Sequence, residues 1–235
     1  MSKVIWDDVG KHYFEMGVDH GVLYPQTGAN GAYAKGVAWN GLTGVTESPD
    51  GAEPTDLWAD NIKYATLRSA ETFGGTIEAY TYPDEFMACD GTNITEVTGV
   101  RVGQQSRVPF GLCYRTKIGS DADPSGDQAY LLHLIYNASC SPSEKSYETI
   151  NDSPDAITLS WEFTTNAVPV VGAGATNPYE SMKPVSSIVI DSRTVNASKL
   201  QDLEAVLYGS GTVDGTNDPS LPSPGEVLDM LKPTT

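Results

Sequence analysis

A chain of 235 residues with 31 acidic side chains and only 14 basic ones carries a formal net charge of −17 at neutral pH. Such a surface repels phosphate backbones and excludes ordinary nucleic-acid binding, whereas 39% hydrophobic and 19% charged residues describe a globular chain able to bury a proper core. No run approaches the roughly 18 apolar residues of a membrane helix, and the start Met1-Ser-Lys-Val-Ile-Trp-Asp-Asp lacks an apolar signal core, so folding in a cytoplasm is expected.

The first predicted strand is Gly36–Thr46, whose glycines relax the backbone. A long polar connection with Pro and Gly follows, from Glu47 to Asp60. Lys63–Thr72 alternates, with Ala65, Leu67 and Ser69 on one face and Tyr64, Thr66 and Arg68 on the other. Thr76–Tyr82 repeats the pattern after Gly74-Gly75, which predicts a hairpin turning at the two glycines. Pro83 stops that strand and opens a short helix, Asp84–Cys89, closed by Asp90-Gly91.

Strand signals continue beyond. Ile94–Val102 is rich in Thr and Val, and Phe110–Ile118 alternates. Ala129–Ala138 is apolar on both faces, which predicts a central strand. Ile157–Thr165 alternates most clearly: Ile157, Leu159, Trp161 and Phe163 form a core face, while Thr158, Ser160, Glu162 and Thr164 face solvent or a lumen. After Gly172-Ala-Gly-Ala-Thr-Asn-Pro178, a linker by composition, come a strand Val185–Asp191 and a helix Ala197–Tyr208 capped by Asn196 and stopped at Gly209. Last comes a short helix from the capping box Ser223-Pro-Gly-Glu226 to about Leu231. Many short strands between turn clusters predict a mainly β chain, a sandwich or barrel. The expected organisation is a β-sandwich domain over 1–171 with a long loop at 47–60, and a small strand and helix unit over 172–235.

Five runs belong together: Gly41-Leu-Thr-Gly-Val-Thr-Glu-Ser-Pro-Asp-Gly51, Trp58-Ala-Asp-Asn61, Tyr82-Pro-Asp-Glu-Phe86, Lys183-Pro-Val-Ser-Ser-Ile-Val-Ile-Asp-Ser-Arg193 and Leu200-Gln-Asp-Leu-Glu-Ala-Val-Leu-Tyr-Gly209. In this order and spacing they resemble the major tail tube proteins of long, non-contractile-tailed bacteriophages that infect Gram-positive bacteria. The likeness covers most of the chain and thins between about 119 and 182 and over the first 30 residues. It implies a β-sandwich with a flanking helix, located in the virion tail and made in the host cytoplasm. It also implies hexameric rings stacked into a tube around a DNA channel, with no cofactor. The partners it implies are further copies of the chain, a tape-measure protein, and terminator and baseplate or distal tail proteins.

The uneven charge has two readings, an acidic surface of the common soluble kind and the wall of a conduit. Residues 1–60 hold nine acids and three bases and 121–180 hold nine and one, whereas 61–120 hold six of each. A wall along which DNA slides should lack a basic stripe, because phosphate contacts would hold the polymer. Arg101, Arg107, Arg115 and Lys117 are the one local concentration of positive charge, either ordinary surface or a contact that receives an acidic loop of Glu47, Asp50, Glu53, Asp56 and Asp60 from a neighbouring subunit.

Chemistry-bearing motifs are sparse. His12, His20 and His133 fit no His-Glu-x-x-His, and neither a nucleophile elbow nor a phosphate-binding glycine loop occurs. Asp121-Ala-Asp123-Pro-Ser125-Gly126-Asp127 imitates the opening of a calcium loop but has Leu132 where a bidentate Glu is required, so it is read as a hairpin loop. Cys89, Cys113 and Cys140 have neither the even number of a disulfide framework nor zinc spacing and are expected to be reduced packing residues. The rival expectation is an acidic β-sandwich binding module for carbohydrate or calcium on a virion or cell surface; an enzyme ranks below both.

Overall fold

The computed structural model describes residues 4, 6–27, 31–51, 53–94, 97, 99–126, 129–147, 149, 156–172, 177–210 and 218–232. In chain order the elements are β1 (Tyr13–Thr27), β2 (Ala32–Tyr33), β3 (Val37–Ala38), β4 (Leu42–Glu47), β5 (Asp50–Gly51), β6 (Pro54–Ala59), β7 (Ile62–Arg68), β8 (Glu71–Thr72) and β9 (Gly74–Ala79). They continue with α1 (Phe86–Asp90), β10 (Asn93–Ile94), β11 (Arg101–Val102), β12 (Phe110–Ser120), β13 (Ala129–Cys140), β14 (Leu159–Thr165), β15 (Ser187–Asp191), α2 (Ala197–Tyr208) and α3 (Pro224–Leu231).

The protein is mainly β. One antiparallel sheet runs β2-β1-β12-β13-β14-β9-β4, with β3 also on β1 and β15 also on β13. Strands from opposite ends of this order share one apolar cluster: Leu23 of β1, Leu112 of β12 and Ile135 of β13 pack with Ile77 of β9 and Trp161 and Phe163 of β14. The sheet therefore curls over on itself like a sandwich. Its ends meet closely enough that a Cβ on Gly21 of β1 would lie 3.0 Å from Leu42 of β4.

Two bulged strands make the curl possible. On β13, Leu132, Leu134 and Tyr136 face one way, while Ile135, Ala138 and Cys140 face the inner cluster. Strict alternation would put Ala138 with Tyr136, but Asn137 at φ +49° supplies the extra residue that reverses the parity. The far edge of β13 pairs β15 along Leu131–Ile135 and then β14 along Ala138–Cys140, so this one strand serves both layers. β1 does likewise: its pairing with β12 slips twice between Met16 and Val22, where Gly17 and His20 have positive φ.

The opposite face of β1, β12, β13 and β15 is covered by helices. Leu200, Leu203 and Leu207 of α2 and Val227 of α3 pack on Val22, Tyr24, Cys113, Leu134 and Ile190. The Tyr24 hydroxyl donates to the Leu207 carbonyl at 2.6 Å, satisfying a helix-end acceptor in the core. Both expected caps form: Asn196 accepts from the Ser198 and Lys199 amides, and Ser223 and Glu226 make a reciprocal capping box. The expected division near residue 172 is thus no boundary in packing. β15 is a strand of the main sheet, and the helices complete its second core.

Several other sequence expectations change. The predicted first strand is preceded by the 15-residue β1 and is itself broken into β3 and β4. Gly74-Gly75 is no turn but the start of β9. A Cβ on Gly75 would lie 2.2 Å from the Thr46 carbonyl oxygen and 2.9 Å from the Phe163 ring, so glycine is there to let neighbours approach. Lys63–Thr72 accordingly pairs backward, with residues 50–51 and 54–59, and the described part of Glu47–Asp60 is one leg of a hairpin in place of a loop. Of the predicted strand Ile94–Val102, residues 95, 96 and 98 lie outside the described residues, and the described ones include the pairing of the two-residue strands β10 and β11; Ile157 lies exposed ahead of β14. The helix after Pro83 forms as α1 and ends at Gly91 in the left-handed region.

All three cysteines are free and buried. Burial pushes the Cys89 and Cys113 thiols up to about 12 and raises Cys140 as well, leaving negligible thiolate at neutral pH. A thiol reagent is expected to label none of the three in the native protein and all three after denaturation. Labelling in the folded state at a rate independent of denaturant would contradict this packing.

Candidate assembly surfaces

The expected polar face of β14 exists and extends across three strands. Register places Glu162 beside Thr76 and Thr46, and Ser160 beside Glu78 and Gly44, all turned away from the inner cluster. Glu162, Glu78, Thr46 and Thr164 are exposed. The segments Leu42–Glu47, Gly74–Ala79 and Leu159–Thr165 contain no lysine or arginine. This outer face is short-chained, hydroxyl-rich and acidic, with nothing in it to grip a polyanion.

From the end of that layer the chain leaves as an arm. β4 and β9 continue outward through the β5–β8 pair into the β6–β7 ladder, turning at Asp60-Asn61. Both turn residues have positive φ, +51° and +63°, the two-residue geometry that matches strand twist. A slip between Leu57 and Trp58 keeps Trp58, like Leu57, on the face of Ala65 and Leu67, while Ile62 and Tyr64 occupy the other face. Leu57, Ile62 and Leu67 are exposed, and Trp58 and Tyr64 are 69% and 73% exposed. A two-stranded ribbon is marginal in water by itself, and one with apolar side chains on both faces gains stability by being covered.

The five candidate acids of this region separate. Glu47 stands opposite Gly75, in the row of Phe163, and so points inward; its Oε1 accepts from the Tyr114 hydroxyl at 2.5 Å and lies 3.4 Å from His133 Nδ1. Asp56 is held by Lys63 at 2.7 Å and Thr66 at 2.8 Å on the arm itself. Asp50 accepts from the Gly51 amide. Glu53 and Asp60 are exposed, Asp60 at the tip. Of the acids expected at a contact with a neighbour, Glu47 is therefore committed within its own subunit.

The basic residues are not one patch. Arg115 makes a two-point pair with Asp19 at 2.7 and 3.0 Å and lies over the Tyr130 ring, on the helix-covered side of the sheet. This pairing lowers the Asp19 pKa below its ordinary value and raises that of Arg115. Arg101 instead reaches Tyr82 and Asp84 beside α1, on the side of the inner cluster. Arg107 packs against Gly91. Lys117 shares the face of Arg115 on β12.

Features of other chemistries resolve simply. Asp121 accepts from the amides of Gly10 and His12, and Asp123 from Ser125, so the calcium-like segment closes a turn. No group of three or more His, Cys, Asp or Glu side chains arranged to hold a metal occurs among the described residues, and no described helix is long and apolar enough to cross a membrane. A groove of about 890 Å³ between β2, β13 and the start of α3 is lined by Tyr33, Pro109, Tyr136, Val168, Leu221 and Pro224. Ser223 and Glu226 also border it, their side chains joined at 2.9 Å as the capping box of α3.

No protein family matches this chain, and no curated protein matches it.

Proposed function

We propose that this protein is a structural subunit that assembles with copies of itself into stacked rings, the major tail tube protein of a long-tailed phage. The observation that carries the reading is the arm: a hairpin projecting from the sandwich with apolar side chains uncovered on both faces, a form that a solitary molecule has no reason to keep. The uncovered acidic face of β4, β9 and β14 supports it, because a lumen that passes DNA must not bind it. The sequence runs that resemble tail tube proteins include one leg of the arm root, the turn of the arm at Asp60-Asn61 and the start of the helix after Pro83.

In this reading the arm of each subunit lies on a neighbouring subunit, the outer face of β4, β9 and β14 lines the channel, and the helices lie outward. The role needs no cofactor and no reaction. A tape-measure protein would occupy the channel during assembly, terminator and baseplate proteins would meet the ends, and the location would be the virion tail. Negative-stain microscopy of the concentrated protein is expected to reveal hollow tubes or six-fold rings. Particles that stay monomeric at every concentration, with or without nucleating tail components, would overturn the proposal.

A further inference from the structure

The place where the arm meets the sandwich is built from two unlike contacts. On the β9 leg Phe73 packs against the inner cluster, its ring 6.5 Å from that of Phe163, and its carbonyl accepts from Thr165. On the β4 leg the contact is polar. Glu47 ends β4 and reaches across to Tyr114 on β12 and His133 on β13, whose rings stack at 4.6 Å with planes 6° apart. The His133 side chain is only 12% exposed. Its Nε2 lies 3.1 Å from the Thr116 hydroxyl, which in turn reaches Glu15 on β1 at 3.5 Å. Beyond Ser48, whose amide donates to Gly74, the described ladders of the arm are its own two pairs.

The node is placed awkwardly for a merely structural role. The core could be closed there with an aliphatic residue, since Val45 and Leu42 of the same strand pack inward. A carboxylate instead gathers a phenol and an imidazole. We infer that Glu47, Tyr114 and His133 form a latch that pins one leg of the hairpin arm, leaving Phe73 as the pivot when the latch is open. This regulates the surface assigned above and rests on that assignment for its purpose, though not for its existence.

The chemistry sets when the latch holds. Glu47 accepts through Oε1 from the Tyr114 hydroxyl, and the His133 Nδ1 stands at ion-pair distance from the same oxygen without a hydrogen bond of good geometry. His133, then the Tyr114 hydroxyl, keep the Glu47 pKa below its ordinary 4.5 against the opposing effect of partial burial. Burial and the nearby Glu47 carboxylate raise Tyr114, so the phenol keeps the proton it donates. Among the described residues the other polar groups at the node are Thr116 and, through it, Glu15. Arg115 and Asp19 pair on the opposite face, and β15 presents Val189 opposite His133. A depressed carboxylate pKa means that the latch contributes fully above the ordinary carboxylate range and is lost as pH falls through the lower folded value.

Hydrogen exchange read by mass spectrometry tests this without requiring assembly. At neutral pH, Glu47→Gln is expected to raise exchange of the arm-root amides at 46–51 and 71–76 roughly tenfold, leaving the β12 and β13 amides unchanged. Tyr114→Phe, which keeps the stacked ring and deletes only the hydroxyl, should give a smaller rise at the same amides. After correction for intrinsic rates, acidification should bring the wild type to the level of Glu47→Gln, whose own root exchange stays flat. Root exchange in Glu47→Gln equal to wild type overturns the latch. Should that variant lose β12 and β13 protection as well, equal root exchange in Tyr114→Phe overturns it. If the wild type forms no tubes, the assembly reading falls and the exchange result still decides the latch.

Discussion

Replacing Trp58, Tyr64 and Leu67 together with serine is expected to abolish tube or ring formation while leaving the monomer folded. The three side chains stand on the β6–β7 ribbon, exposed to solvent and remote from both cores. Exposed substitutions of this kind change stability by about 0.5 kcal/mol or less each, so the denaturation midpoint should barely move. At a subunit contact the same side chains would each bury an area worth about 1.5–3 kcal/mol. Removing three therefore weakens each contact by on the order of 5 kcal/mol, more than a thousandfold in its association constant. Sedimentation and microscopy read the assembly, and urea denaturation reads the fold. Tubes of normal abundance from the triple variant would mean that the arm is not the docking element. A parallel loss of stability would mean that it packs on its own sandwich.

Strand content and helix ends were legible in the sequence because their signals are local. Trp161 and Phe163 alternate with Glu162 and Thr164, and this settles which face of β14 is buried without knowing what covers it. The Ser223 and Glu226 pair announces α3 in the same way. β1 was illegible for a physical reason. Val18 and Leu23 serve the inner cluster while Val22 and Tyr24 serve the helix side, and the bulges at Gly17 and His20 that permit this destroy the period of two.

The arm was misread through glycine. Gly74-Gly75 imitates a turn, but its missing side chains accommodate Phe163 and the Thr46 carbonyl, whereas the true turn, Asp60-Asn61, carries residues that merely tolerate positive φ. Exposure of Trp58 and Tyr64 is also invisible in a pattern, because an alternating strand reads the same whether its apolar face is buried in its own core or awaits a neighbour. The latch has no sequence signature at all. Glu47, Tyr114 and His133 meet only because the sheet curls to bring β4 over β12 and β13.

The same curl makes Trp161 the residue whose loss should cost the fold most. It is fully buried, and its ring meets Trp39 at 5.9 Å, Tyr82 at 5.4 Å and Phe86 at 5.1 Å, all steeply tilted. Those partners come from the segment before β4, the segment after β9 and helix α1, so one indole ties β14 to three other parts of the chain. Trp161→Ala is expected to destabilise by about 3–5 kcal/mol through lost transfer energy and an unfilled cavity. At about 2–4 °C per kcal/mol for a chain of this size, the melting midpoint should fall by roughly 6–20 °C. Trp161→Phe should cost less than half as much. Among the described residues the buried Trp161 Nε1 has no hydrogen-bond partner, so phenylalanine deletes a donor whose desolvation, about 1–3 kcal/mol, offsets part of the lost area. A thermal melt of both variants separates the two contributions. Equal losses for alanine and phenylalanine would show that the polar edge of the indole matters more than its packing, and an unchanged midpoint for alanine would show that the aromatic cluster does not hold the two layers together.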